Sequence, residues 1–266
     1  MRNIRLVLEY DGGGFHGWQA QSRPAVRTVQ EEIEAVLGRV LRESVRLHVA
    51  GRTDVGVHAR GQVANFRTEA HLPLSRLARA LAGLLPADVS VRELAEVPPS
   101  FHARHSAVER RYLYRMLDGP SATWARRAWW PWARPDPAAM TAAYAPLLGE
   151  HDFRSFAGRA PGQEEEHGRC RVTRLEFTRW EAGVALVVHA NRFLYHMVRN
   201  LVGTAIAIAR GRIEPDALPA ILAAGDRRRA GPTAPAVGLS LEEVVYPPHC
   251  APSGESVDGW GREVEP

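Results

Sequence analysis

A chain of 266 residues can bury a substantial core as one domain or two. Its 45% hydrophobic and 24% charged content suit a globular protein, while a net charge of +4 and a pI near 9.5 suggest a polyanionic partner. All 34 basic residues are arginine, which excludes a Schiff-base, P-loop or kinase-type lysine, and the two distant cysteines, Cys170 and Cys250, argue against a zinc cage or a disulfide framework.

The first predicted element is an alternating strand over 4–10, ended by Asp11-Gly12-Gly13-Gly14. Thr28 is placed to cap a helix, with Glu31 as its capping-box partner, and Val29, Ile33, Val36, Leu37, Val40 and Leu41 fall on one helical face. Strands near 45–50 and 60–67 follow, separated by the loop around Arg52 and Asp54. A second helix begins near Pro73, and a strand over 89–97 closes a βαββαβ order. The order then recurs without sequence similarity between the halves. It runs as a strand over 106–117, a Trp-rich loop, a helix over 136–148, and a hairpin over 171–180 and 184–190. A helix over 195–210, a shorter one near 215–224 and a strand over 239–246 complete it. The fold class expected is α+β: two βαββαβ (ferredoxin- or RRM-like) halves, 1–104 and 105–247, joined into one extended, mostly antiparallel sheet with helices on one face. Residues 248–266, rich in Pro, Gly, Ser and charge, read as a disordered tail. No apolar run is long enough to span a bilayer, Glu9 interrupts the N-terminal segment too soon for a signal-peptide core, and a reducing, cytoplasmic setting is expected.

Three clusters carry candidate chemistry. Gly51-Arg52-Thr53-Asp54-Val55-Gly56 is good turn chemistry on its own, and an Arg–Asp neighbour pair is ordinary at a surface. Its place between neighbouring strands, with two glycines that admit a ligand to the backbone, also suits a reactive carboxylate. On the 195–210 helix, Arg199 lies beside the apolar stripe with His196 and Gly203 one turn to either side. It is either a charge snorkelling at a helix edge or an interior cation needing a carboxylate, for which Asp54 is a candidate. Tyr112 shares a strand face with Arg110 and Tyr114, as a core tyrosine or as a plate for a base. The tryptophans Trp124, Trp129, Trp130 and Trp132 read as an anchor over the sheet edge, and Arg227-Arg228-Arg229 as a solvated loop. Dinucleotide, Walker, Gly-x-Ser-x-Gly and zinc-deaminase signatures are missing from the sequence.

Tyr10-Asp11-Gly12 with Phe15, Gly17-Trp18-Gln19 and Gln21, then Ala50 to Ala59, resembles the tRNA pseudouridine synthase A family. So do Arg111-Tyr112-x-Tyr114, His151-Asp152-Phe153 with Ser155-Phe156, His196-Met197-Val198-Arg199-Asn200, and Thr233-Ala234-Pro235-x-x-Gly238-Leu239. The resemblance spans about residues 4–247. Departures are local: an acidic loop over 158–170 with Glu164, Glu165 and Glu166, and Pro135 before Asp136. The resemblance implies a cofactor- and metal-independent isomerase that converts uridine to pseudouridine at positions 38–40 of the tRNA anticodon stem-loop. In that reading Asp54 is the catalytic residue, as nucleophile or promoter of deglycosylation. Arg52 fills the space of the flipped base or holds phosphate, Tyr112 stacks on uracil, and Arg199 pairs with Asp54. It also implies a homodimer. The rival is a non-catalytic RNA-binding protein with tandem RRM-like units, against which stands the lack of an RNP1-like strand in either half. A glycosidase would want a second carboxylate beside Asp54, and that loop offers none.

Overall fold

A computed structural model describes residues 1–19, 26–158 and 168–264. Gln21 and the acidic run Glu164–Glu166 lie outside these residues. The chain is a mixed α+β protein, with ten mostly antiparallel strands and five α-helices among the described residues. It divides into two compact units, one of residues 1–108 with 241–266 and one of residues 109–240.

In the first unit, β1 (Arg2–Tyr10) is flanked by β3 (His58–Thr68) and β4 (Val89–Glu96), both antiparallel to it. Alternation puts Ile4, Leu6, Leu8 and Tyr10 on one face, where all four are buried. Two helices complete the unit, α1 (Val29–Leu41) and α2 (Leu74–Leu84), which pack against each other. Thr28 caps α1 as expected: its hydroxyl accepts from the Glu31 backbone N–H and donates to the Glu31 carboxylate at 2.6 Å. The strand expected near 45–50 shrinks to β2 (His48–Val49), paired with β3.

The second unit holds β5 (Glu109–Leu117), β8 (Gly183–Ala190), β7 (Arg169–Trp180) and β6 (Gly149–Asp152), paired in that order. Its helices are α3 (Pro137–Tyr144), which packs on β7, α4 (Met197–Ala209), which packs on β5, and α5 (Leu218–Ala224). Asp136 caps α3 through the Ala139 N–H. Trp129 lies alongside β5, accepting from Leu117 N–H and donating to Arg115 C=O, so the Trp-rich segment covers a strand edge. The half is therefore not a strict repeat of βαββαβ, because β6 and α5 are added.

The structure corrects the reading of the C-terminal segment. Strand β9 (Leu239–Val245) is cut by the unit boundary, and everything from Leu241 belongs with the first unit. Beyond it, β10 (Ser256–Asp258) pairs antiparallel with β4, so the segment expected to be disordered is ordered through residue 264. Val257 is fully buried, and Gly259 and Gly261 let the chain pass against backbone where a Cβ would meet Val91 O at 2.2 Å and Ser75 O at 2.4 Å. One apolar residue and two tight glycines hold a strand that composition alone disguises. No helix among the described residues is long and apolar enough to cross a membrane.

Candidate active site

The Asp54 loop joins β2 to β3, and its backbone is fixed from below. Thr53 is buried, and its hydroxyl lies 2.8 Å from the Tyr10 hydroxyl. The Gln62 amide donates both to Tyr10 Oη at 3.3 Å and to Gly51 C=O at 2.8 Å. Burial raises the Tyr10 pKa to about 12, so the phenol stays neutral and available as a donor at working pH. From the side, Trp18 N–H donates to Thr53 C=O and Gly56 N–H to Phe15 C=O.

Two glycines make this approach possible. Gly17 has φ +87°, and a Cβ there would come within 2.8 Å of Thr53 O; a Cβ at Gly12 would come within 2.0 Å of Val57 O. The Arg27 guanidinium holds the outer edge, 4.2 Å over the Phe15 ring and forked onto Asp88. Thus Tyr10, Gly12, Phe15, Gly17 and Trp18 share one task, which is to set the backbone beneath Asp54. Asp54 itself is half-buried and Arg52 exposed, while Val55 is left open to solvent. Partial desolvation, then the like charge of Arg104, lowers the Arg52 pKa.

Sequence reasoning singled out neither Tyr10 nor Gln62 for a role, since the two meet only through the β1–β3 pairing. Replacing Tyr10 with Phe removes one hydroxyl from a buried three-residue network. We expect a stability loss of about 1–2 kcal/mol, read by chemical denaturation, with a lowered turnover as the loop loosens. Unchanged stability would show that the network does not hold the loop.

In the second unit, Tyr112 and Tyr114 share a face of β5 and register with Val188 and Leu186, both buried. Tyr112 is half-buried with its ring edge-on to Phe193 at 5.0 Å. Tyr114 is fully buried and donates to Pro235 C=O at 2.7 Å. Arg199, on the first turn of α4, donates through Nε to Ala234 C=O at 2.7 Å, and Ala234 N–H donates back to Arg199 C=O. Its charge acts on Tyr114, tempering a phenol pKa that burial drives upward. The unit therefore brings Arg199 to the Tyr112–Tyr114 strand.

A network centred on the buried Asn200 seats this pair. Asn200 Nδ2 donates to Phe156 C=O, while its Oδ1 accepts from Thr233 at 2.6 Å and Arg227 at 2.8 Å. Arg227, read from sequence as part of a solvated loop, instead braces the segment that receives Arg199; Arg228 pairs with Asp226 at the surface. The Gly203 position admits the same segment closely, since a Cβ there would lie 1.6 Å from Pro232 O. His196 starts α4 in the left-handed region, at φ +60°, with its ring stacked on Tyr195. Of the 151–156 motif, Phe153, Ser155 and Phe156 are fully buried.

Arg52 and Asp54 belong to the first unit, Tyr112 and Arg199 to the second, and each pair is assembled within its own unit. Among the described residues no group of three or more His, Cys, Asp or Glu side chains is placed to hold a metal ion.

A family model described as tRNA pseudouridine synthase matches the chain over residues 6–106 and 143–247, ranges that include the Asp54 loop and Arg199 but not Tyr112. The chain belongs to that family. Among its relatives, the tRNA pseudouridine synthase A of Moorella thermoacetica is 44% identical over 245 residues, covering 91% of this chain and 99% of the relative. That of a Roseiflexus species is 44% identical over 272 residues, covering 100% and 95%, and that of Chlorobaculum tepidum is 42% identical over 246 residues, covering 92% and 98%.

Proposed function

We propose that this enzyme converts uridine to pseudouridine at positions 38–40 of the tRNA anticodon stem-loop, with Asp54 as the nucleophile. The N1–C1′ bond breaks, the uracil turns, and a C5–C1′ bond forms; a proton leaves C5 and one is gained at N1. Nothing enters or leaves overall, so the chemistry asks for positioned side chains and no redox or group-transfer cofactor. The target base first leaves its stack, at a cost of a few kcal/mol. Arg52 answers that cost by occupying the vacated space or holding the phosphate, Tyr112 offers its ring to uracil, and Arg199 is the proposed partner of Asp54. The enzyme works in the cytoplasm as a homodimer on one tRNA.

The observation that carries this reading is the Asp54 loop. Its backbone is held by a buried hydroxyl–amide network while Asp54 stays half-exposed, the arrangement of a preorganised reactive carboxylate rather than of a surface turn. Incubating the protein with an unmodified tRNA transcript and analysing the nucleosides tests it. Pseudouridine at 38–40 is the expected product. Free uracil would mean a glycosidase, and unchanged RNA a non-catalytic binder.

A further inference from the structure

A cluster of basic side chains flanks the Asp54 loop in the first unit. The His48 and His102 rings lie 4.9 Å apart, the His102 and His105 rings 4.3 Å apart. Arg104 sits in the same turn and acts electrostatically on both His102 and Arg52. His48, Arg52, Arg104 and His105 are exposed. The charged groups that act on the His102 ring, namely His105, His48 and Arg104, are all basic. Crowding like charges is costly, and an anion that settles among them removes the cost.

The turn is rigidly seated. Asn3 Nδ2 donates to Pro98 and Phe101 C=O, Asn65 Oδ1 accepts from Ala103 N–H, and Tyr246 Oη donates to Ala103 C=O at 2.7 Å. Asn3 and Asn65 are themselves buried and bonded to each other. Within the turn, His102 Nδ1 accepts from the Arg104 backbone N–H at 3.1 Å. That bond fixes the neutral ring with its hydrogen on Nε2, and burial together with the neighbouring charges lowers its pKa. His102 is thus a neutral donor between two exposed imidazoles. The rings meet tilted, at 43° and 48°, and among the described residues no such group is placed to hold a metal ion.

We propose that His48, His102, Arg104 and His105, continuous with Arg52, form a preorganised site for the phosphodiester backbone of the bound RNA. Because this side chain set begins two residues from Asp54, the inference rests on the proposed function for the identity of the RNA. A built site loses little freedom on binding. Arg104 brings a fixed positive charge to the phosphate, and His102 a neutral N–H donor.

The test measures affinity of the full-length protein for a fluorescent anticodon stem-loop RNA over a salt series. The His48→Gln/His105→Asn double variant, changed only at exposed positions, should bind several-fold more weakly. Arg104→Gln should weaken binding and flatten the log affinity–log salt slope by about one. Variants that match wild type in affinity and slope overturn the inference. Pseudouridine assayed in parallel separates the two readings. Product with unaltered variants sinks the phosphate site alone, whereas weakened variants without any product support the site and sink the proposed reaction.

Discussion

Replacing Asp54 with Asn is expected to reduce pseudouridine formation by about 10³-fold or more, the scale seen when a covalent nucleophile is removed. Asparagine keeps the size of the side chain but gives up the charge and most of its nucleophilicity. The loop need not move, because its support comes from Tyr10, Thr53 and Gln62 and from backbone groups such as the Val57 N–H, which donates to Asp54 C=O. Stability should therefore stay within about 0.5 kcal/mol of wild type, and RNA should still bind. Single-turnover assay on a tRNA transcript, with thermal melting alongside, checks both halves. A variant that formed product at near wild-type rate would end the role given to Asp54.

The second large effect is on packing. Gly203→Ala places a methyl group 1.6 Å from the Pro232 carbonyl oxygen, backbone against backbone, with no flexible side chain to yield. Either α4 or the 230–234 segment has to shift. Over-packing of this kind costs about 1–3 kcal/mol or more, and at roughly 2–4 °C per kcal/mol the melting temperature should fall by up to about 10 °C. The shift also moves Ala234, the acceptor for Arg199, so turnover should drop further than stability explains. Gly83→Ala is the matched control. It lies inside α2 with nothing within 4 Å of its Cβ, and should be neutral or stabilising by up to about 1 kcal/mol. Equal melting temperatures for the two variants would refute the packing argument.

Much of this was legible in the sequence where local signals were strong. Thr28 and Asp136 announce their helices by side chains that reach the N–H three residues on. The β7–β8 hairpin follows from two alternating runs around a two-residue turn, and β1, β5 and β9 from their periodicity. Short elements escaped: β6 and β10 have four and three residues, too few for a period to show, and each exists because a longer strand offers it partners. The candidate site divided in the same way. Asp54, Arg52, Tyr112 and Arg199 stood out by residue type and by family likeness. Tyr10, Gln62, Asn200 and Arg227, which hold them, drew no supporting role from the sequence, since the partners that reveal it are mostly distant: Thr53 lies 43 residues from Tyr10, and Arg227 lies 27 from Asn200. Arg227 is the sharpest case, because in a run of three arginines nothing local distinguishes the one that turns inward.

The return of residues 241–264 to the first unit has a kinetic consequence. β4 gains its outer partner, and Ala103 the phenol of Tyr246, only after the whole second unit has been synthesised. During translation the N-terminal unit must wait with an open sheet edge, a surface prone to pairing with other chains. The second unit, made of one unbroken stretch, has all its residues as soon as Ser240 leaves the ribosome. The unit that starts first is thus the one that finishes last.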